Sequence, residues 1–248
     1  MPVNPFAQLD SWMREHVWDN FVGHYQAERR LQRLLASYKT LLLDPRYAAM
    51  AQDMETVLGD KELTAKNSLE VLLRLQQIAG GYDHEGMPLP SNPKMKELMQ
   101  VLEETQGKVI IWARYLAEVA GITTVLEKEW PGSTVSMTGE VNPASRQLMV
   151  DEFQSSDTLR FFVANQQTAG KGLTITAATT SIYYSNTFSL EDRLQSEDRN
   201  HRIGQESTVT YIDLLSDLKV DGLVAAAIEN KRSLAAYVGD TLRLKDMV

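Results

Sequence analysis

The chain has 248 residues, 43% of them hydrophobic and 23% charged, a composition ordinary for a soluble globular protein and long enough for one large domain or a domain with an accessory part. A formal net charge of −8 excludes a general nucleic-acid coat protein, though not a narrow groove that follows a phosphate backbone with local cations and amides. The absence of cysteine excludes disulfides, thiolate metal sites and cysteine nucleophiles, and no apolar run reaches the roughly 18 residues of a membrane span.

The opening segment MPVNPFAQLDSW lacks the basic region and apolar core of a secretory signal, which suits an intracellular protein. Four histidines, His16, His24, His84 and His201, stand without ligand spacing, so no structural zinc is expected. Residues 1–85 read as helical throughout. Leu9, Trp12, Val17, Phe21 and Tyr25 fall near helical spacing, and this aromatic stripe reads as packing in preference to a base-stacking platform. Asp44-Pro45 breaks the pattern, and further helices are predicted over 46–58 and 61–79, the last ended by Gly80-Gly81.

From about residue 88 strands and helices alternate. Ser91 and Pro93 predict a helix start, and KVIIW over 108–112 is a continuous apolar run of the kind found in a buried parallel strand. Helices are predicted over 115–129 and from Asn142 to about Phe153, and strands over 133–137, 159–164, 181–184 and 208–215, followed by a helical C-terminal stretch. This alternation predicts an α/β domain with a mostly parallel sheet and helices on both faces. Ligands of such sheets bind beyond the carboxyl ends of strands, which makes Trp112 and Arg114 candidates for a ligand path; a packed Trp112 is an equal alternative.

The most informative stretch is QSEDRNHRIGQ, residues 195–205. Gln195, Arg199 and Arg202 have spacing i, i+4, i+7, which on a helix places them on one face. Ser189 and Asp192 predict the helix start and Gly204 its stop. Two guanidiniums so placed suit phosphate oxygens, because the planar fork binds them bidentately. A solvated face, pairing with Glu191, Asp192, Glu197 and Asp198, is the other reading of the same charges. The loop QTAGKGLTITAA, 167–178, is rich in small residues that let amides approach a phosphate, or that simply turn the chain. It is not a Walker A loop: position 165 is Asn165 and position 172 is Gly172 where that motif needs a glycine and a Ser or Thr, and no other stretch satisfies it. LMVDEFQ, 148–154, resembles a magnesium-binding strand, but its apolar spacing fits a helix.

QSEDRNHRIGQ closely resembles motif VI of the Snf2-type ATPases of helicase superfamily 2, matching every fixed position of Q-x-x-D-R-x-H-R-I-G-Q. The loop resembles motif V at Ala169, Gly170, Gly172, Leu173 and Thr174; KVIIWARY resembles motif IV; and Gly139, Arg146 and Phe153 match the family's G…R…F segment. The segment YSNTF, 184–188, lacks the proline usual there. LLRLQQIAGG, 72–81, is similar to the connection between lobes. The resemblance implies a RecA-like C-terminal helicase lobe over 86–248, preceded by a helical inter-lobe segment over 1–85. It implies that Arg199 and Arg202, with Gln195 as companion, act as arginine fingers on an ATP held by another lobe, with Gly170, Gly172 and Asp198 at the ATP cleft. It places Thr168, Lys171, Thr174, Arg114 and Gly139 along double-stranded DNA.

ATP and Mg²⁺ are expected only with a first lobe that supplies the Walker A and acidic residues, so the chain alone is expected not to hydrolyse ATP. That lobe belongs either to a longer polypeptide, the favoured reading, or to a separate one. A non-catalytic DNA- or protein-binding module is the alternative, and an RNA-helicase lobe a third, less in keeping with the ending HRIGQ. The short A-G-K-G-L-T loop suggests bacterial, phage or annealing-helicase members over large nucleosome remodellers. The expected location is cytoplasmic, with the nucleoid or nucleus as the place of work.

Overall fold

A computed structural model describes residues 73–83, 85–169, 173–202, 205–216 and 219–229. The helices expected before residue 73 lie outside the described residues. The described chain starts in a helical stretch, 73–79, that stops at Gly80-Gly81 as predicted; Gly81 has φ +87°, and a Cβ there would collide with the Asn92 amide.

The elements that follow are α1 (Pro93–Glu104), β1 (Lys108–Ala113), α2 (Leu116–Glu129), β2 (Thr134–Met137), α3 (Pro143–Ser155) and β3 (Phe161–Asn165). Then come α4 (Gln166–Ala169), β4 (Ala178–Tyr183), α5 (Leu190–Glu197), β5 (Thr210–Asp213) and α6 (Lys219–Glu229). The five strands form one sheet in the order β2-β3-β1-β4-β5, and every pair is parallel. This is the parallel α/β architecture expected from the alternation, and the RecA-like form implied by the resemblance.

The central strands are apolar on both faces because both faces are covered. Along β1, Val109, Ile111 and Ala113 point into a core shared with Leu98, Val101 and Leu102 of α1 and Val119, Ile122 and Leu126 of α2. The intervening Ile110 and Trp112 point into a second core with Val150 and Phe153 of α3 and with Leu173 and Ile175. Phe161 and Phe162 of β3 divide in the same way.

Several helix ends are finished by side chains from elsewhere in the fold. Asn92, not the expected Ser91, caps α1, its Oδ1 accepting from the Met95 N–H at 2.9 Å. Arg160 donates to the Leu102 and Thr105 carbonyls at 2.6 Å each, closing the other end of α1. Lys108 donates to the carbonyls of Phe153 and Ser156 at the end of α3. Cations suit these ends because the last carbonyls of a helix lack partners. Helix α4 replaces part of the predicted loop: Asn165 Oδ1 accepts from the Gln167 N–H at 3.0 Å, starting a turn that composition alone did not signal.

Strand β5 is shorter than predicted. It is an edge strand, and its pairing with β4 spans only Thr180↔Thr210 to Tyr183↔Asp213. β4 begins earlier, at Ala178, where alanine and threonine gave little apolar signal.

Candidate functional site

Helix α5 starts as predicted, with the Ser189 hydroxyl accepting from the Asp192 N–H at 3.2 Å. It does not continue to Gly204, which lies outside the described residues. The helix ends at Glu197, with Asp198 as its C-cap, so the expected single helical face carrying Gln195, Arg199 and Arg202 is not formed. Tertiary contacts pull the chain off the helix. The Ile175 N–H donates to the Arg199 carbonyl at 2.7 Å, Asn200 Nδ2 reaches Ser181 Oγ at 3.1 Å, and Gln205 Nε2 donates to the Thr176 carbonyl at 2.8 Å. These bonds tie residues 199–205 to the segment leading into β4.

The two arginines therefore differ in kind. Arg199 is 4% exposed; its Nε donates to the Gln195 carbonyl at 2.7 Å and its Nη1 to the Leu173 carbonyl at 3.0 Å. It closes the end of α5 and clamps that end to residue 173. Burial, then the neighbouring Arg202, lowers its pKa, while Asp198 opposes the shift. Arg202 is exposed, and its Nη1 donates to Thr174 Oγ1 at 3.1 Å. Gln195 turns its amide to Glu191 Oε1 at 2.8 Å, so its tie to Arg199 runs through its backbone carbonyl. Asp198 is exposed beside them.

The other expected residues gather at the carboxyl ends of the strands, which the parallel pairing brings to one edge. Gly139 follows β2 and Thr168 follows β3; a Cβ built on Gly139 would lie 3.6 Å from Thr168 Oγ1, so the two are neighbours. Arg146 donates from Nε to the Val141 carbonyl at 3.1 Å and from Nη2 to the Gly139 carbonyl at 3.3 Å, holding that turn. Arg114 follows β1, half-buried, its guanidinium 3.8 Å from the centroid of the Phe188 ring and its Nη1 without a hydrogen-bond partner. Trp112 is fully buried and stacked 6.4 Å from Tyr183, so it is core and not part of a ligand path.

The predicted residues thus form two groups. Arg114, Gly139 and Thr168 stand at the carboxyl edge. Arg199, Arg202 and Thr174 cluster beyond α5, where Asn200 and Gln205 reach the start of β4. Gly170, Lys171 and Gly172, between Thr168 and Thr174, lie outside the described residues.

Two buried polar centres went unnoticed in the sequence. Arg193 bridges Glu197 Oε1 at 2.6 Å, Asp213 Oδ1 at 2.5 Å and Asn186 Oδ1 at 2.6 Å, with its guanidinium 3.4 Å from the centroid of the Tyr183 ring. Burial is the largest influence and works against its charge, but Asp213, Tyr183 and Glu197 together outweigh it and raise its pKa. The i,i+4 pair Arg193–Glu197 was a visible signal. The second centre is Glu118, which carried none. The segment 184–188, without the family's proline, is held by side chains instead: Tyr184 OH donates to the Gly80 carbonyl at 2.7 Å, and the Ser189 N–H donates to Thr187 Oγ1 at 3.2 Å.

The parallel sheet with an arginine pair after α5 sets this fold beside known proteins. Residues 93–204 match the helicase conserved C-terminal domain, and the proteins the chain is similar to include Snf2-type helicases. It is 23% identical over 153 residues to the ATP-dependent helicase FUN30 of Saccharomyces cerevisiae, a match covering 62% of this chain and 13% of that protein. It is 30% identical over 146 residues to the mouse DNA annealing helicase and endonuclease ZRANB3, covering 58% of this chain and 13% of that protein. The fold matches the Sulfolobus solfataricus SWI2/SNF2 ATPase core in complex with dsDNA with a TM-score of 0.64 and 22% identity, over 82% of this chain and 46% of the other.

The matched part of the chain spans only about an eighth of the length of these curated relatives. Both are eukaryotic, so the bacterial or phage affiliation suggested by the short loop gains no support. No described helix is long and apolar enough to cross a membrane.

Proposed function

We propose that this chain supplies the second motor lobe of a Snf2-type ATP-dependent DNA translocase. Arg202 is the arginine finger, reaching a triphosphate that a first lobe holds with Mg²⁺, on the same or another polypeptide. Arg199 acts through position: it fixes the end of α5 against the segment 173–175 and so sets where Arg202 starts. Gln195 supports Arg199 through its carbonyl, and Gly170, Gly172 and Asp198 border the same cleft. The observation that carries this reading is the contrast in exposure, a cation open to a ligand beside a cation locked as its mount.

The residues fit the phosphate end of such a ligand and not its metal. Arg202 and Thr174 offer donors for phosphate oxygens, whereas no group of three His, Cys, Asp or Glu suited to a metal exists among the described residues. On this reading the first lobe supplies the metal ligands, and the chain alone does not turn over ATP.

At the carboxyl edge, Arg114, Gly139 and Thr168 form the track for the DNA backbone, with Lys171 and, beside Arg202, Thr174 as further contacts. The exposed glycine admits close approach of a phosphate backbone. The similarly folded Sulfolobus core was solved with dsDNA, which supports duplex DNA as the partner. The assignment carries an intracellular site of action with it, the nucleoid or nucleus.

Mixing the purified chain with the first lobe of a Snf2-type enzyme and following DNA-stimulated phosphate release tests the proposal. Turnover that needs both lobes and disappears in Arg202→Ala supports it. DNA-stimulated turnover by the chain alone overturns it, and DNA binding without turnover in the mixture favours a non-catalytic binding module.

A further inference from the structure

Glu118 is 0% exposed and belongs to neither group of expected residues. It stands at the third position of α2, and its side chain reaches back over the start of that helix. Glu118 Oε2 accepts from the Arg114 N–H at 3.2 Å, the Tyr115 N–H at 3.1 Å and the Ser185 hydroxyl at 2.5 Å. The Arg114 N–H also donates to Ser185 Oγ at 2.8 Å. One carboxyl oxygen therefore joins the turn after β1 to the loop after β4, the loop that leads into α5.

The other oxygen, Oε1, is buried without a hydrogen-bond partner among the described residues. A Cβ on Gly80 would lie 2.1 Å from it, so glycine at position 80 is what makes room. The Gly80 carbonyl is itself fixed by Tyr184 OH at 2.7 Å and Asn92 Nδ2 at 3.1 Å. Three segments distant in sequence thus close around one carboxyl group.

An exposed carboxylate at this helix position serves as an ordinary cap. This one is buried, has an orphan oxygen, and bonds a second loop that the helix does not need. We propose that Glu118 is a positioning residue that holds Arg114 and the loop launching α5 in one fixed relation. The proposal rests on the reading of Arg114 as a DNA contact for its functional meaning, but not for its geometry.

Burial raises the carboxyl to about 7, with the bonds from Ser185 and Tyr115 pulling the other way. The ionisable groups facing it are Tyr82 before α1, Lys94 of α1, Arg114 and Tyr115 before α2, Tyr184 after β4, and Asp221 of α6. Lys94 is paired with Asp221 at 2.7 Å, which leaves the desolvation of Glu118 largely uncompensated. A neutral carboxyl keeps Oε2 as an acceptor, so glutamine reproduces the arrangement and alanine abolishes it.

The test is amide hydrogen exchange on the full chain, paired with dsDNA binding followed by fluorescence anisotropy. In Glu118→Ala, exchange at Tyr115 is expected to rise about tenfold or more while β3 stays protected, since that amide loses its acceptor, with a smaller rise at Arg114, whose N–H keeps Ser185 Oγ. In Glu118→Gln those amides stay protected, and any pH dependence of their protection near neutrality disappears. Should Glu118→Ala not fold, Ser185→Ala takes its place and raises exchange at Arg114 alone. Wild-type protection in the alanine variant, or loss of protection in a folded glutamine variant, overturns the proposal. An Arg114→Ala arm separates the two ideas: unchanged dsDNA affinity there removes the DNA reading, while the exchange result still decides the role of Glu118.

Discussion

Arg202 and Glu118 mark two kinds of polar site in one lobe. Around Arg202 the guanidinium is exposed and, among the described residues, held by one hydroxyl, Thr174 Oγ1. Around Glu118 solvent is excluded and one oxygen collects every bond, so the group serves the fold's geometry and has nothing left to offer a substrate. Arg199 and Arg193 belong with Glu118: they are cations spent on carbonyls and carboxylates inside the lobe. The difference teaches that charge pattern in a sequence does not separate an exposed cation from one buried on carbonyls; tertiary contacts do.

The largest expected effect falls on the open site. With the first lobe present, Arg202→Ala is expected to lower DNA-stimulated turnover by about 10³-fold or more, as loss of an arginine finger does elsewhere, with the melting temperature unchanged. Steady-state phosphate release and a thermal melt on the same preparation check this. An equal loss of stability would place Arg202 among the structural cations.

Arg193→Ala is expected to destabilise the chain by about 3 kcal/mol, because it takes the cation from Asp213, leaving it the Asn186 Nδ2 bond, and strips the partner from Asn186 Oδ1. Urea denaturation measures it. A change below about 0.5 kcal/mol, the size of an ordinary surface substitution, would contradict the bridging role.

Glu118 makes a prediction with a definite sign. Its native pKa, about 7, lies above its ordinary value of 4.5, so the folded state binds more protons than the unfolded one between those two values. Stability contributed by this group is therefore fullest at and below about pH 4.5 and is lost as pH rises through about 7. Denaturation midpoints for wild type and Glu118→Gln across this window should converge at the acid end and diverge above neutrality, with the glutamine variant the more stable. Parallel profiles would remove Glu118 as the source.

The smallest effect is expected at Gly139. A Cβ there meets Thr168 Oγ1 at 3.6 Å, an ordinary contact, so Gly139→Ala should change stability by less than about 0.5 kcal/mol. If the DNA backbone approaches this turn, dsDNA affinity falls by a few fold; unchanged affinity would move the track away from Gly139.

The parallel sheet was legible because its strands are continuous apolar runs: KVIIWA reads as buried on both faces, and both faces are covered. The start of α5 was legible from Ser189, and its end was not. Helical spacing carried Gln195, Arg199 and Arg202 onto one face, whereas hydrogen bonds from Ile175, Asn200 and Gln205 stop the helix at Glu197. Those partners are distant in sequence, so no local pattern announces them. Trp112 followed the same logic: its place near a strand end suggested a ligand path, but strand alternation sends it into the core. Glu118 is a glutamate in the first turn of a helix, the commonest place for a solvated one, and only the closure of Gly80 and Ser185 around it makes it unusual.

The division of labour between the two arginines is tested most directly by measuring turnover and melting temperature together on Arg202→Ala and Arg199→Ala in the two-lobe mixture. The account predicts that Arg202→Ala loses turnover by about 10³-fold with its melting temperature intact, whereas Arg199→Ala lowers both. An Arg202→Ala protein that melts normally and still hydrolyses ATP at the wild-type rate would contradict it.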